Sequence, residues 1–258
     1  MKKLFAILMT AMLAVTACFG LTACGDKKVE DGATIIVGVT DYAPMDYVKD
    51  GKWVGFDAEL AEKVFTELGY KVEFKEIDWD TKIVTLNSGN IDVIWNGMTV
   101  TDELLDNVLL SNVYLKNQQY GVVKTNTTLT ISAKADLAGK NVAIESGSAA
   151  EDAMDGIECT LNKLSNQNAA IMEVAAGTSD IAIVDYTMAM TLTGIGSDYY
   201  GTLKMVDLGF EVEEFAIAFR QTDSKLCFNV NKKINELKKS GYVATLAEKY
   251  GIENLLAD

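Results

Sequence analysis

Two distant stretches of this chain echo each other: Ser88-Gly89-Asn90-Ile91-Asp92-Val93-Ile94 and Ala176-Gly177-Thr178-Ser179-Asp180-Ile181-Ala182-Ile183. Each reads as the end of a helix, a glycine break and a short apolar strand. Such a unit buries its strand against helices, so two copies predict two similar α/β lobes. The flanking patterns agree. Residues 34–40 form an apolar strand, and Phe56, Leu60, Val64 and Leu68 recur every four residues before Gly69, with Asp57 as the expected N-cap. Val72 and Phe74 alternate as a strand, Asp80 opens a short helix that ends at Ser88-Gly89, and residues 91–95 form another strand. In the second half, strands at 141–144 and 180–184 alternate with helices at 148–154 and 168–176. Residues 114–121 lead into the second lobe and 213–220 lead out, which predicts two crossing strands. From Ser224 two helices return to the first lobe, with Leu226, Val230, Ile234 and Leu237 apolar. The expected division is 33–117 with 214–258 as lobe one and 118–213 as lobe two.

The N-terminus has a different character. Met1, Lys2 and Lys3 precede an apolar run at 4–17 that is too short to span a bilayer comfortably, the pattern of an export signal. Leu21-Thr22-Ala23-Cys24 followed by Gly25-Asp26 resembles a lipobox, so residues 1–23 are expected to be removed, Cys24 to carry a lipid anchor and 24–32 to act as a linker. Cys18 is a weaker copy inside the apolar run. Losing the leader removes two lysines and no acids, which makes the net charge of −14 more negative still. Phosphate backbones and anionic lipid surfaces require clustered cations, so nucleic acid and direct membrane-surface partners are disfavoured. Histidine is absent, which removes the commonest general base and metal ligand. Cys159 and Cys227 fall in different lobes, so no disulfide is expected and both read as small buried residues. The acids are scattered, so no metal site or cofactor is expected.

From Ile35 to Gly251 the residues carry a family resemblance in several short pieces. The pieces that carry the resemblance are Tyr42-Ala43-Pro44-Met45-Asp46-Tyr47, Gly51, and Val54-Gly55-Phe56-Asp57-Ala58-Glu59-Leu60-Ala61. They continue with Asp78-Trp79-Asp80, Asn96-Gly97-Met98-Thr99-Val100-Thr101-Asp102-Glu103, Glu145-Ser146-Gly147-Ser148-Ala149-Ala150-Glu151, Asp185 and residues 215–220. Together these pieces resemble the polar amino acid group of bacterial solute-binding proteins that serve ABC importers, and the resemblance implies a two-lobe periplasmic-binding-protein-like α/β fold, with the crossing strands as hinge and the ligand cleft between the lobes. It implies a monomer that captures an amino acid or related small amine by closing, then delivers it to a membrane permease.

By resemblance, Thr99 and the backbone amides of Ser148 and Ala149 serve a ligand carboxylate, Asp185 and the Gly97 carbonyl serve an ammonium, and Tyr42 and Trp79 sandwich the ligand. Met98 belongs to the same lining. Asp185 also fits a helix N-cap, and Trp79 and Trp95 also fit core positions. Two departures bear on the ligand. Leu104 stands where the family usually places a carboxylate-clamping arginine, leaving Lys82 and Lys116 as candidate substitutes. Glu145 stands where glutamine or lysine is common, so Glu145, Asp185 and Asp41 or Asp46 would make the cleft negative. An organic cation, whether an amine, a decarboxylated amino acid or a nitrogenous base, therefore competes with a standard amino acid. A dehydratase-like enzyme is disfavoured by the missing histidine and clamp, and a sensor lipoprotein is the remaining alternative.

Overall fold

The computed structural model describes residues 32–257, so the export signal, Cys24 and nearly all of the 24–32 linker lie outside the described residues. Strand β1 (Thr34–Val39) pairs in parallel with β4 (Lys71–Glu76) and β5 (Val93–Ile94). The hairpin β2 (Tyr47–Lys49) and β3 (Lys52–Val54) and helix α1 (Phe56–Glu67) lie between β1 and β4 in the chain. The N-cap of α1 is Gly55, not Asp57. Asp57 is fully buried, and its carboxylate accepts from the Gly97 N–H (2.6 Å) and the Tyr114 hydroxyl (2.7 Å) instead of capping its own helix. Strand β5 is shorter than its apolar run because the Asp92 carboxylate, and not a backbone carbonyl, receives the Ile36 N–H. A 3₁₀ turn (Trp79–Thr81), capped by the Asp78 carboxylate, leads into α2 (Lys82–Asn87). Helix α3 (Asp102–Asn107) starts where the Thr101 hydroxyl accepts the Leu104 N–H. Beyond it, β6 (Leu109–Leu110) and β13 (Ala218–Phe219) complete a five-stranded sheet in the order β4-β1-β5-β13-β6.

The second sheet runs β11-β7-β10-β8-β9, from β7 (Leu115–Lys124), β8 (Asn141–Glu145), β9 (Thr160–Leu164), β10 (Ile181–Asp185) and β11 (Leu203–Val206). Its helices are α4 (Ala149–Ala153), α5 (Gln167–Ala176) and α6 (Tyr186–Thr193). Helix α5 is held at both ends, by the Asn166 side chain on the Ala169 N–H and by left-handed Gly177. Its core joins Val142, Ile144, Ile181 and Ile183 to Leu137, Met154 and Phe210. The protein therefore has two lobes, each an α/β layer, as the echo between the two stretches predicts.

The long strand β7 leaves the first lobe and pairs along its first residues with β12 (Val212–Phe215), which carries the chain back towards β13. Helices α7 (Ser224–Lys239) and α8 (Tyr242–Tyr250) then pack on the first lobe, with Leu226, Val230, Ile234 and Leu237 buried. Cys227 is buried and Cys159 only half-buried, and both are free thiols. No helix among the described residues is long and apolar enough to cross a membrane.

Candidate functional site

Loops at the carboxyl ends of β1, β5, β8 and β10 converge on a cavity of about 230 Å³ between the two sheets. All ten residues singled out for the ligand line it: Tyr42, Trp79, Gly97, Met98, Thr99, Leu104, Glu145, Ser148, Ala149 and Asp185. Lys82 lines it too, whereas Lys116 lies on the exposed face of β7 and outside it. Asp41 and Asp46 are likewise not part of its wall. Asp46 is fully buried with both carboxylate oxygens unpartnered, and burial together with neighbouring Asp57 pushes its pKa well up.

The wall from the first lobe is largely aromatic and apolar. Trp79 and Leu104 pack with Met98, Leu86, Ile91 and Ile94, so the side chain at the clamp position is part of an apolar cluster. Gly97 has a φ of +54°, and a Cβ there would meet the Tyr42 ring at 2.6 Å, which is why the strand end can approach the aromatic floor. The segment after Gly97 is docked on the returning strand: Met98 and Glu214 carbonyls accept from Ala216 and Val100 at 3.0 and 2.9 Å. Trp95, expected in the core, is wholly buried and off the wall.

The second lobe supplies carboxylates. Glu145 ends β8 and Asp185 ends β10, and they are 3% and 4% exposed. Asp185 caps nothing with its side chain, although it precedes α6. Its carboxylate accepts instead from the amides of Asn117, Gln119 and Gln167, and its N–H donates to Gln167 Oε1 at 2.9 Å. Burial raises its pKa against the lowering effect of those amides. Glu145 is pushed up to about 8, chiefly by burial and then by the charge of Asp185, with Lys82 opposing. Its Oε1 is buried without a partner, as are Gln119 Oε1 and Asn117 Oδ1.

Sequence reasoning missed the amide layer and Glu213. Glu213 Oε2 accepts from the Thr99 hydroxyl (2.9 Å), Asn117 Nδ2 (3.0 Å) and Gln119 Nε2 (2.9 Å). The available signal was amides at alternate positions on the buried face of β7, where apolar residues are the rule.

Among the described residues, the only ammonium on the wall is that of Lys82. It donates to the carbonyls of Trp79 (3.3 Å) and Gly147 (2.7 Å) and lies 5.0 Å from the centre of the Trp79 ring. Burial lowers its pKa, and Glu103, Glu145, Asp152 and Asp80 oppose that shift. The Lys82 bond to Gly147 joins the lobes, as does the Tyr42 hydroxyl with Thr187 at 2.5 Å. Two hydroxyl donors of the wall are committed: that of Thr99 to Glu213, and that of Ser148 to the Glu145 carbonyl at 2.7 Å. The described residues hold no group of three or more potential metal ligands.

The model of the bacterial extracellular solute-binding proteins, family 3, matches residues 35–253. The chain belongs to that family. This solute-binding protein is 31% identical over 249 residues to the arginine-binding extracellular protein ArtP of Bacillus subtilis (strain 168), a match covering 93% of this chain and 96% of that one. Among solved structures, an ancestral arginine-binding protein bound to arginine has a TM-score of 0.80 and 32% identity, over 86% of this chain and 99% of that one. A substrate-binding protein of an ABC uptake transporter from Streptococcus pneumoniae, with bound histidine, has a TM-score of 0.79 and 29% identity, over 87% and 95%. The family's location places the solute-binding protein outside the cytoplasm.

Proposed function

We propose that this chain is the binding component of an ABC importer, anchored through a lipid on Cys24, that closes as a monomer around a small organic cation and presents it to a permease. The observation that carries the ligand class is the imbalance of the cavity wall. Two buried carboxylates and an unpartnered amide oxygen belong to residues of the wall, Leu104 supplies no charge, and Lys82 is held by two carbonyls. Charge of one sign without a partner is costly in a desolvated site, so a cation is the solute that stabilises it. Trp79 and Tyr42 offer π faces to the same cation. In this reading Asp185 and Gln119 receive the nitrogen, and the lobes divide at 33–117 with 214–258 against 118–213, hinged on β7 and β12. A basic amino acid is the second reading, supported by the arginine-binding relatives and by the remaining N–H of Lys82.

The test is a thermal-shift screen of residues 25–258 against the standard amino acids and against amines and nucleobases that lack an α-carboxylate. Stabilisation by cations alone supports the proposal. Stabilisation by neutral or acidic amino acids alone overturns it.

A further inference from the structure

We infer, building on the cationic reading of the cavity, that the solute is a small dicationic amine without a carboxylate, its two nitrogens received separately by Asp185 and Glu145. Strands β8 and β10 are parallel neighbours, with Ala143 opposite Ala182. That register sets Glu145, the last residue of β8, one position short of Asp185, the last of β10, and both residues line the cavity. Among the described residues, neither carboxylate has a lysine or arginine partner, in contrast to Glu151, which pairs with Lys163. The two acids are solvated differently. Asp185 already accepts three amide donors, and the Gln119 oxygen beside it remains unpartnered. Glu145 keeps one oxygen bare. One nitrogen fits between Asp185 and the Gln119 oxygen, and a second fits at Glu145 Oε1, with the aromatic faces of Tyr42 and Trp79 beside the methylenes between them.

A single cation at Asp185 would leave Glu145 buried with its Oε1 unpartnered. A zwitterion would add a carboxylate to a wall that already holds Glu145, Asp185, Glu103, Asp152 and Asp80. Of the donors expected to receive it, the Thr99 hydroxyl is given to Glu213 and the Ser148 N–H to the Glu145 carbonyl. The upward pKa shifts of Glu145 and Asp185 agree with two acids that lack a cation.

Isothermal titration calorimetry of the mature chain at pH 7 with 1,4-diaminobutane, agmatine, butylamine, methylguanidine, L-lysine and L-arginine tests this, in two buffers of different ionisation heat. A diamine or agmatine should bind at least about tenfold more tightly than either monocation or either amino acid. Binding of the dication should also release a proton, because it drives Glu145 to its charged form. Glu145→Gln should weaken dication binding at least about tenfold and change butylamine binding less than about threefold. Glu145→Asp, which keeps the charge if the glutamine variant does not fold, should retain proton release. Monocations that bind as tightly as dications, or failure of every dication, overturn the inference. L-Lysine or L-arginine binding as tightly as agmatine overturns it too, but leaves the cationic reading standing. Binding of neutral amino acids, with no cation bound, overturns both.

Discussion

Glu145 and Asp57 make the ligand-free protein a proton-holding one. Their carboxyls are pushed up to about 8 and about 7, burial being the first cause for each. A raised carboxyl keeps its proton in the folded state after the unfolded chain has released it. Stability is then lost as pH rises from the ordinary carboxylate range through about 8. The melting temperature of the ligand-free protein should fall steadily between pH 5 and 8, by a loss on the order of a few kcal/mol. Glu145→Gln should flatten that slope in a scanning calorimeter, and an unchanged slope would assign the titration elsewhere. Ligand affinity runs the other way: a cation prefers the charged carboxylate, so binding should strengthen as pH rises towards 8. Leu104 offers the complementary experiment. Leu104→Arg should create or improve binding of an α-amino acid carboxylate in calorimetry, at a cost of about 1–3 kcal/mol because the side chain leaves an apolar cluster. Amino acid affinity no better than the parent's would refute the clamp argument.

The crossing strands turn these residues into one polar relay. Register sets Glu213 opposite Asn117 and Asp185 opposite Gln119, and the alternation of a strand puts Asn117 and Gln119 on the same buried face. Both amides donate to both carboxylates, and Thr99 joins from the first lobe. Glu213→Gln replaces a carboxylate oxygen that accepts from three donors with the weaker acceptor of a neutral amide. It should weaken ligand binding about three- to tenfold while circular dichroism stays unchanged. An affinity equal to the parent's would mean that the relay does not bear on the site. This much was hidden from sequence reading because Asn117, Gln119 and Glu213 make sense only once β7 and β12 are paired. The strands themselves were legible, because apolar alternation and glycine breaks are local signals.

Closure is decided where the lobes meet. Gly147 has a φ of +69°, and a Cβ there would come within 2.8 Å of the Asp80 Cα on the other lobe. Gly147→Ala should hold the lobes apart, read as a larger radius of gyration in small-angle scattering with saturating ligand. Compaction equal to the parent's would show that the contact is dispensable. A ligand that binds only the closed form should stabilise the protein by about 2.7 kcal/mol at a hundred times its Kd.

The two α/β lobes and the crossing strands were readable from the chain, because periodicity and glycine breaks are properties of neighbouring residues, and the residues that line the cavity followed from the resemblance of short motifs to a family. The roles of those residues were not readable. Asp57 turned from a cap into a buried acceptor, Asp46 left the cleft for the interior, and Lys82 became a bond between lobes while Lys116 faced solvent. Each of those outcomes depends on partners far away in sequence, and burial and hydrogen-bond geometry exist only after the strands have been brought together.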